Sequence, residues 1–292
     1  MRRKNGAVRV LNFRLPPPPS PLTQMHSLFV SDLHLCAARP RTTQIFLRFL
    51  RETAPRAEAL YILGDLFEYW LGDDELAAPD HAEVVQALAH LASSGTQVFL
   101  LHGNRDFLIG ETFAQAAGLR LLIEPSLIDL YGVPTLLMHG DTLCSDDLDY
   151  LAFRAKVRDP GWVSVFLAQP LAQRQALIEQ WRGQSEQEKQ HKPASIMDAN
   201  PAAIADILRQ YAYPRLIHGH THRPASHSHS VDGHSCERWV LPAWDDEGGY
   251  LRCDKNGCTA IALRADPDED DSAFQQKPPK SVKIRSFTRD GE

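Results

Sequence analysis

The sequence predicts an α/β sandwich carrying a helical insertion, and three observations predict it. Short apolar runs of strand length alternate with stretches of helical periodicity. Each of those runs empties into a polar cluster. Residues 146–211 are rich in Gln, Ala, Leu and Arg and contain no strand candidate. In chain order, 27–30 reads as a buried strand, 41–53 as a helix, 59–63 as a strand and 81–94 as a helix, with 98–101 and 135–138 as further strands. Residues 146–211 then read as a helical cap, with apolar spacing through Phe166, Leu167, Leu171 and Leu177. After Pro214 the strands return in RLIHGH, followed by hairpin-like runs around 236–241, 248–252 and 258–263. No internal repeat is visible.

The two ends of the chain differ from this pattern. Residues 1–24 hold five basic residues, no acid, and prolines at 16–19 and 21, a composition that builds neither helix nor sheet. They read as a disordered extension ahead of a start at Met25, since the proline run spoils the amphipathic helix of a mitochondrial presequence. From Ala265 the chain is again non-globular, with five acids in six residues at 266–271 and a basic, proline-bearing stretch after them, so 265–292 reads as a disordered charged tail. The expected domain is 25–264, with its cap at about 146–211.

Charge excludes one class of partner. The chain has 31 basic and 37 acidic side chains, net −6. The ends carry +5 and −2, which leaves −9 on residues 25–264, the opposite of a nucleic-acid footprint. No apolar run reaches membrane-spanning length. Five cysteines at irregular spacing argue against a disulfide framework and for a reducing compartment. Cys253 and Cys258 are expected to be ordinary hairpin thiols, because C-x4-C lacks the second half of a zinc site. Cys36 and Cys144 are expected to be packed thiols.

The polar clusters carry the chemistry. They are SDLH (Asp32, His34), GD (Asp65), GNRD (Asn104, Arg105, Asp106), MHGD (His139, Asp141) and HGHTH (His218, His220, His222). Strand ends of an α/β sheet gather at one edge, where ligands bind. Alone each cluster is weak, since GD marks many turns and a single strand-end His is usually a hydrogen-bonded structural residue. Together they offer carboxylates, imidazoles and one amide, without a thiolate, which suits two divalent ions such as manganese, iron or zinc. A structural zinc site needs only about four ligands, usually including Cys.

In that order, D-x-H, GD, GN-(polar)-D, H and GHxH resemble the calcineurin-like metallophosphoesterase superfamily. Within it, SDLHL, YILGDLFEYWLGDD, HGNRDFL, MHGDTLCSDD, FRAKVRDP, SIMDAN and IHGHTHRP are similar to the pyrophosphatases of lipid A biosynthesis, over roughly 25–263. The resemblance implies a β-sandwich flanked by helices (αββα) with a helical cap, and two divalent ions, expected to be manganese. One ion would be held by Asp32, His34, Asp65 and His222, the other by Asp65, Asn104, His139 and His220, with Asp65 bridging. It implies catalytic roles for Asp65, Asn104, Arg105 and His139, and substrate contacts for Asn104, Arg105, Asp147, Ser185, Lys189, Lys192 and His220. Lys189 departs from the family, where Asn is common.

The implied reaction is hydrolysis of the lipid nucleotide UDP-2,3-diacylglucosamine, with water attacking the uridine-side phosphorus. The implied setting is the cytoplasmic face of a Gram-negative inner membrane, reached peripherally. Val163, Val165, Phe166, Leu167, Leu171 and Trp181 would shelter acyl chains or form the insert's own packing core. Arg154, Lys156, Arg158 and Arg174 would meet anionic lipid or simply stay solvated. Arg105 is expected to contact phosphate, the other reading being an ion pair with Asp106. His218 is expected to be structural, and His227, His229 and His234 to form a solvated hairpin. The competing functions are a phosphoesterase for another nucleotide or phosphoester, and a binding scaffold without catalysis, which would have surrendered ligands that are all present here.

Overall fold

The computed structural model describes residues 25–191, 196, 198–245 and 247–263. The extension expected over 1–24 and the tail expected from 265 lie outside them. Strands β1 (His26–Val30), β2 (Ala59–Leu63) and β3 (Gln97–Leu101) are apolar on both faces because both faces are covered. Leu28 and Val30 enter a core shared with helices, while Phe29 between them enters a core shared with a second sheet. Helices α1 (Pro40–Glu52) and α2 (Pro79–Ser93) each start with proline in the first turn, where its missing N–H costs nothing. They lay Ile45, Phe46, Phe49, Val84, Leu88 and Leu91 on the first sheet. The short α3 (Glu111–Ala117) ends at Gly118, which takes the left-handed capping conformation at φ 66°, and leads into β4 (Arg120–Leu122).

Strands β5 (Ser126–Leu130), β6 (Val133–Leu137), β7 (Arg215–His218), β8 (Ala225–Val231) and β9 (His234–Val240) make the second sheet, in the order β5-β6-β7-β9-β8. The first sheet is completed by the hairpin of β10 (Gly248–Asp254) and β11 (Gly257–Leu263), in the order β11-β10-β1-β2-β3-β4. Between the sheets, Phe29, Tyr61 and Phe99 sit in register on three neighbouring strands and stack, each pair of rings 4.8 Å apart. Leu63, Leu101, Leu137, Ile217 and Leu241 fill the same layer.

Helix α7 (Pro201–Gln210), capped by the Asn200 side chain, covers the far side of the second sheet through Ile204 and Leu208. The result is four layers, helix, sheet, sheet and helix, as the resemblance implied. Within 146–211, α4 (Leu148–Val157), α5 (Pro160–Leu167) and α6 (Leu171–His191) precede α7. Phe166 is buried, and Trp162, Val163, Leu177, Ile178 and Trp181 pack with it against the first core. Val165, Leu167 and Leu171 are exposed. The insert's apolar residues therefore divide between packing and surface.

Two expectations are corrected. Cys253 and Cys258 are joined in a disulfide. The two-residue turn between β10 and β11 pairs them directly across the hairpin, a register that C-x4-C alone does not reveal. Three of the four bases expected at a lipid surface turn inward. Arg174 is buried and bonds Leu71 O and the Asp74 carboxylate. Arg154 pairs with Asp141 and Glu124, and Arg158 donates to Gly103 O at 2.7 Å. Helical spacing puts the last two on the face of α4 turned toward the sheet edge, where carboxylates and carbonyls await partners. Lys156 alone remains exposed.

Candidate metal centre

The site is assembled at the carboxyl ends of five strands. Asp32 and His34 follow β1, Asp65 follows β2, Asn104 follows β3, His139 follows β6, and His220 and His222 follow β7. Asp32, His34, Asp65, His220 and His222 are five of the nine non-glycine residues with positive φ among the described residues. Each costs roughly 1–3 kcal/mol against an ordinary conformation, and the loops hold them there because glycines let the backbones touch. A Cβ on Gly103 would collide with the Asp65 carboxylate, and one on Gly219 with that of Asp32.

These residues form two sets that meet at one carboxylate. In the first, His222 Nε2 lies 3.4 Å from Asp32 Oδ1 and 3.4 Å from His34 Nε2. In the second, Asn104 Oδ1 lies 2.9 Å from His139 Nε2 and 3.0 Å from His220 Nδ1. Asp65 Oδ2 stands 3.7 Å from His34 Nε2 of one set and 3.7 Å from His139 Nε2 of the other. Ligand atoms of Asp32, His34 and His222, and of Asp32, Asp65 and His139, fall within 4.8 Å of one another.

The chemistry of this donor set fits divalent cations. Asp32 and Asp65 are buried, and Asp32 Oδ1 has no hydrogen-bond donor. Burial and the neighbouring carboxylates of Asp106 and Asp32 push Asp65 up to about 7 against the opposing pull of His139 and Arg105. Burial drives His34 down to about 3 and His220 down to about 4, which keeps them as the neutral imidazoles that metals take. For His139 burial works downward, but Asp65, Asp32, Asp141 and Glu124 outweigh it and raise it to about 9. Its Nδ1 faces Leu63 O at 2.9 Å, where only a donor fits. Neutral His139 would then point a lone pair from Nε2 at Asn104 Oδ1, and a proton or a cation resolves that opposition.

Around the centre, Asp106 accepts backbone N–H bonds from Leu66 and Gly103 at 2.7 and 2.8 Å, and so does not pair with Arg105. The Arg105 guanidinium instead stands 3.8 Å from Glu68 at the rim, while its backbone N–H donates to Asp65 Oδ1 at 2.8 Å. His218 is fully buried with both ring nitrogens engaged, by Gly219 O at 2.9 Å and Arg238 Nη1 at 3.1 Å, which suits a structural residue. Asp147 caps α4 through the Tyr150 N–H. Ser185 and Lys189 fall on the part of α6 where the backbone alone is described, and Lys192 lies outside the described residues.

Sequence reading missed Glu124 and Tyr150, and took Arg154 for a lipid-facing or solvated base rather than a neighbour of this centre. Tyr150 donates to Asp141 and stacks over the His220 ring at 6.2 Å. The available signal was the i, i+4, i+8 spacing of Tyr150, Arg154 and Arg158 on one helix face.

Known proteins similar to this chain share one family. Residues 25–224 match the family model described as calcineurin-like phosphoesterase. A protein of Aromatoleum aromaticum called UDP-2,3-diacylglucosamine hydrolase is 56% identical over 240 residues, 82% of this chain and 97% of its own. Proteins of the same name from Xanthomonas axonopodis pv. citri and Aeromonas hydrophila are 51% and 49% identical, over 82% and 78% of this chain and 99% and 95% of theirs. The chain therefore belongs to the calcineurin-like phosphoesterase family, and within it to the group of the UDP-2,3-diacylglucosamine hydrolases.

Proposed function

We propose that this chain hydrolyses the pyrophosphate of UDP-2,3-diacylglucosamine to UMP and 2,3-diacylglucosamine 1-phosphate. The observation that carries this reading is the meeting of two ligand sets at the single carboxylate of Asp65, in a chain so similar to hydrolases of that name. Two bound divalent cations, read as manganese, would supply the Lewis acidity that acidifies a water and offsets charge on the phosphorus oxygens. Asp32, His34, Asp65 and His222 would hold one, and Asp65, Asn104, His139 and His220 the other.

The chain's own groups account for positioning. Asn104 contributes a neutral oxygen and so cancels no positive charge. The Arg105 guanidinium, following a ligand directly, matches the fork of phosphate oxygens and stabilises the charge that grows on them. Water oxygen bonds to the uridine-side phosphorus, the bridging P–O bond breaks toward the sugar phosphate, and one proton leaves with solvent. A sugar phosphate is a good leaving group, so no strong general acid is required.

We read the part of the insert before α7 as the cap over this centre, and Asp147, Ser185, Lys189 and Lys192 as the residues that would recognise the nucleotide and sugar. Exposed Leu148, Val165, Leu167 and Leu171 would turn to acyl chains or to the bilayer that delivers them. Among the described residues no helix is long and apolar enough to cross a membrane, so the enzyme would meet the inner-membrane surface peripherally, on the cytoplasmic side. Metal-stripped protein restored with manganese in oxygen-18 water tests the reaction. Label in UMP supports it, and label in the sugar phosphate contradicts the site of attack.

A further inference from the structure

Helix α4 presents Tyr150, Arg154 and Arg158 to the ends of the strands. Arg154 is the junction among them. Its Nε donates to Asp141 Oδ2 at 2.6 Å and its Nη2 to Glu124 Oε2 at 2.7 Å. The other oxygen of Glu124 accepts the backbone N–H of His139 at 2.7 Å. Asp141 stands two residues after His139, accepts from the Thr142 N–H at 3.0 Å, and is fully buried, while the Glu124 side chain is 9% exposed. One guanidinium thus satisfies two buried carboxylates that bracket the same candidate ligand. Without it the two would repel each other in a low-dielectric pocket. A forked cation can serve both at once, and a lysine ammonium cannot.

We infer that Arg154 is a positioning residue of the metal centre, tying the first helix of the insert to the loop that carries His139. The inference rests on the ligand reading above. It makes α4 a fixed wall of the site, bolted to the His139 loop by Arg154, to Asp141 by Tyr150 and to the Gly103 carbonyl by Arg158.

The test uses the full chain as Arg154→Met, Arg154→Lys and Glu124→Gln. Manganese affinity is measured by titration of metal-stripped protein without substrate, then kcat and KM on the lipid nucleotide. Arg154→Met should weaken manganese binding about 10–100-fold, with a comparable fall in kcat, as loss of groups behind a metal ligand typically does. KM should stay within about twofold, since no uniform substrate binding is removed. Arg154→Lys should recover part of the loss. Glu124→Gln keeps an acceptor for the His139 amide but loses the charge pair, and should fall between wild type and Arg154→Met.

Wild-type manganese affinity in Arg154→Met, whatever happens to KM or to melting temperature, overturns the inference. If that variant does not fold, wild-type affinity in Glu124→Gln does the same. A wild-type chain that fails to bind manganese or to cleave the lipid nucleotide defeats the functional reading instead, so the two failures are distinct.

Discussion

Gly64→Ala places one methyl group where three ligand loops touch. Gly64 has φ 89°, and a Cβ there would lie 2.5 Å from Gly103 Cα, 2.6 Å from Gly103 N and 2.6 Å from His139 Nδ1. Ordinary contact begins near 3.4 Å, so the Gly103 backbone or the Asp65 loop must retreat by roughly 0.9 Å, in an interior packed like a crystal. The left-handed backbone costs a non-glycine residue about 1–2 kcal/mol, and overpacking adds about 1–3 kcal/mol. The variant should lose about 2–5 kcal/mol, which for a domain of this size lowers Tm by roughly 4–20 °C. Displacement of nearly 1 Å next to Asp65, Asn104 and His139 should cost about 100-fold in turnover even where the protein remains folded. Calorimetry and kcat with saturating manganese read the two effects separately. Gly183→Ala, in the interior of α6 with nothing within 4 Å of the new Cβ, is the matched control and should gain about 0.5–1 kcal/mol. Unchanged Tm and turnover in Gly64→Ala would refute the claim that close backbone approach builds the site.

Asp65→Asn should reduce turnover to background, because an amide cannot supply the charge shared between two cations. A wild-type rate in that variant removes the bridging role. Asp74 is held below its ordinary 3.8, first by its hydrogen bond from Arg174. A carboxyl whose pKa is depressed on folding stabilises the native state above 3.8 and loses that contribution as pH falls through the lowered value. Melting curves of wild type and Asp74→Asn should therefore separate above about pH 4, with wild type the more stable, and draw together as pH falls through the lowered value; parallel curves would count against the pair. Phe166→Ala removes a ring stacked 4.8 Å from Trp162 and should cost about 3–5 kcal/mol in urea unfolding. A loss under about 1 kcal/mol would show that α5 does not rest on this contact.

Much of this architecture is readable from residues alone, for physical reasons. The runs ending at Val30, Leu63 and Leu101 are buried on both faces, so they stand out as continuous apolar segments. The polar residues after them have no packing role and signal chemistry. Short elements escape: α3 has seven residues between Gly110 and Gly118, and β4 has three, too few for any period to register. Edge strands β5 and β8 mix polar and apolar side chains because only part of their surface is covered, and the histidine-rich hairpin read over 227–234 shows its full strands only once β8 is seen paired with β9. The candidate ligands were found as motifs, whereas Glu124 and Arg154 were not, since each is an ordinary charged residue until the fold brings it behind His139. The inward turn of Arg174 has the same cause: a helix periodicity reports a face but not which neighbour it meets.

The two sheets contribute unequally to the cluster between them, Asp32, His34, Asp65 and Asn104 from one and His139, His220 and His222 from the other. A cation seated there would work as a rivet through a seam that is otherwise stitched nearby by apolar contact and a few hydrogen bonds, such as those from His139 Nδ1 to Leu63 O and from the His220 N–H to Asp32 Oδ2, each 2.9 Å. Loading the rivet would favour the joined form by RT ln(1 + [L]/Kd), about 2.7 kcal/mol at a hundredfold excess over Kd. Chelation should therefore do more than silence the enzyme. It should let the halves part at their catalytic rim first, opening protease cuts in the HGHTH loop while the aromatic ladder of Phe29, Tyr61 and Phe99 still keeps the far side shut.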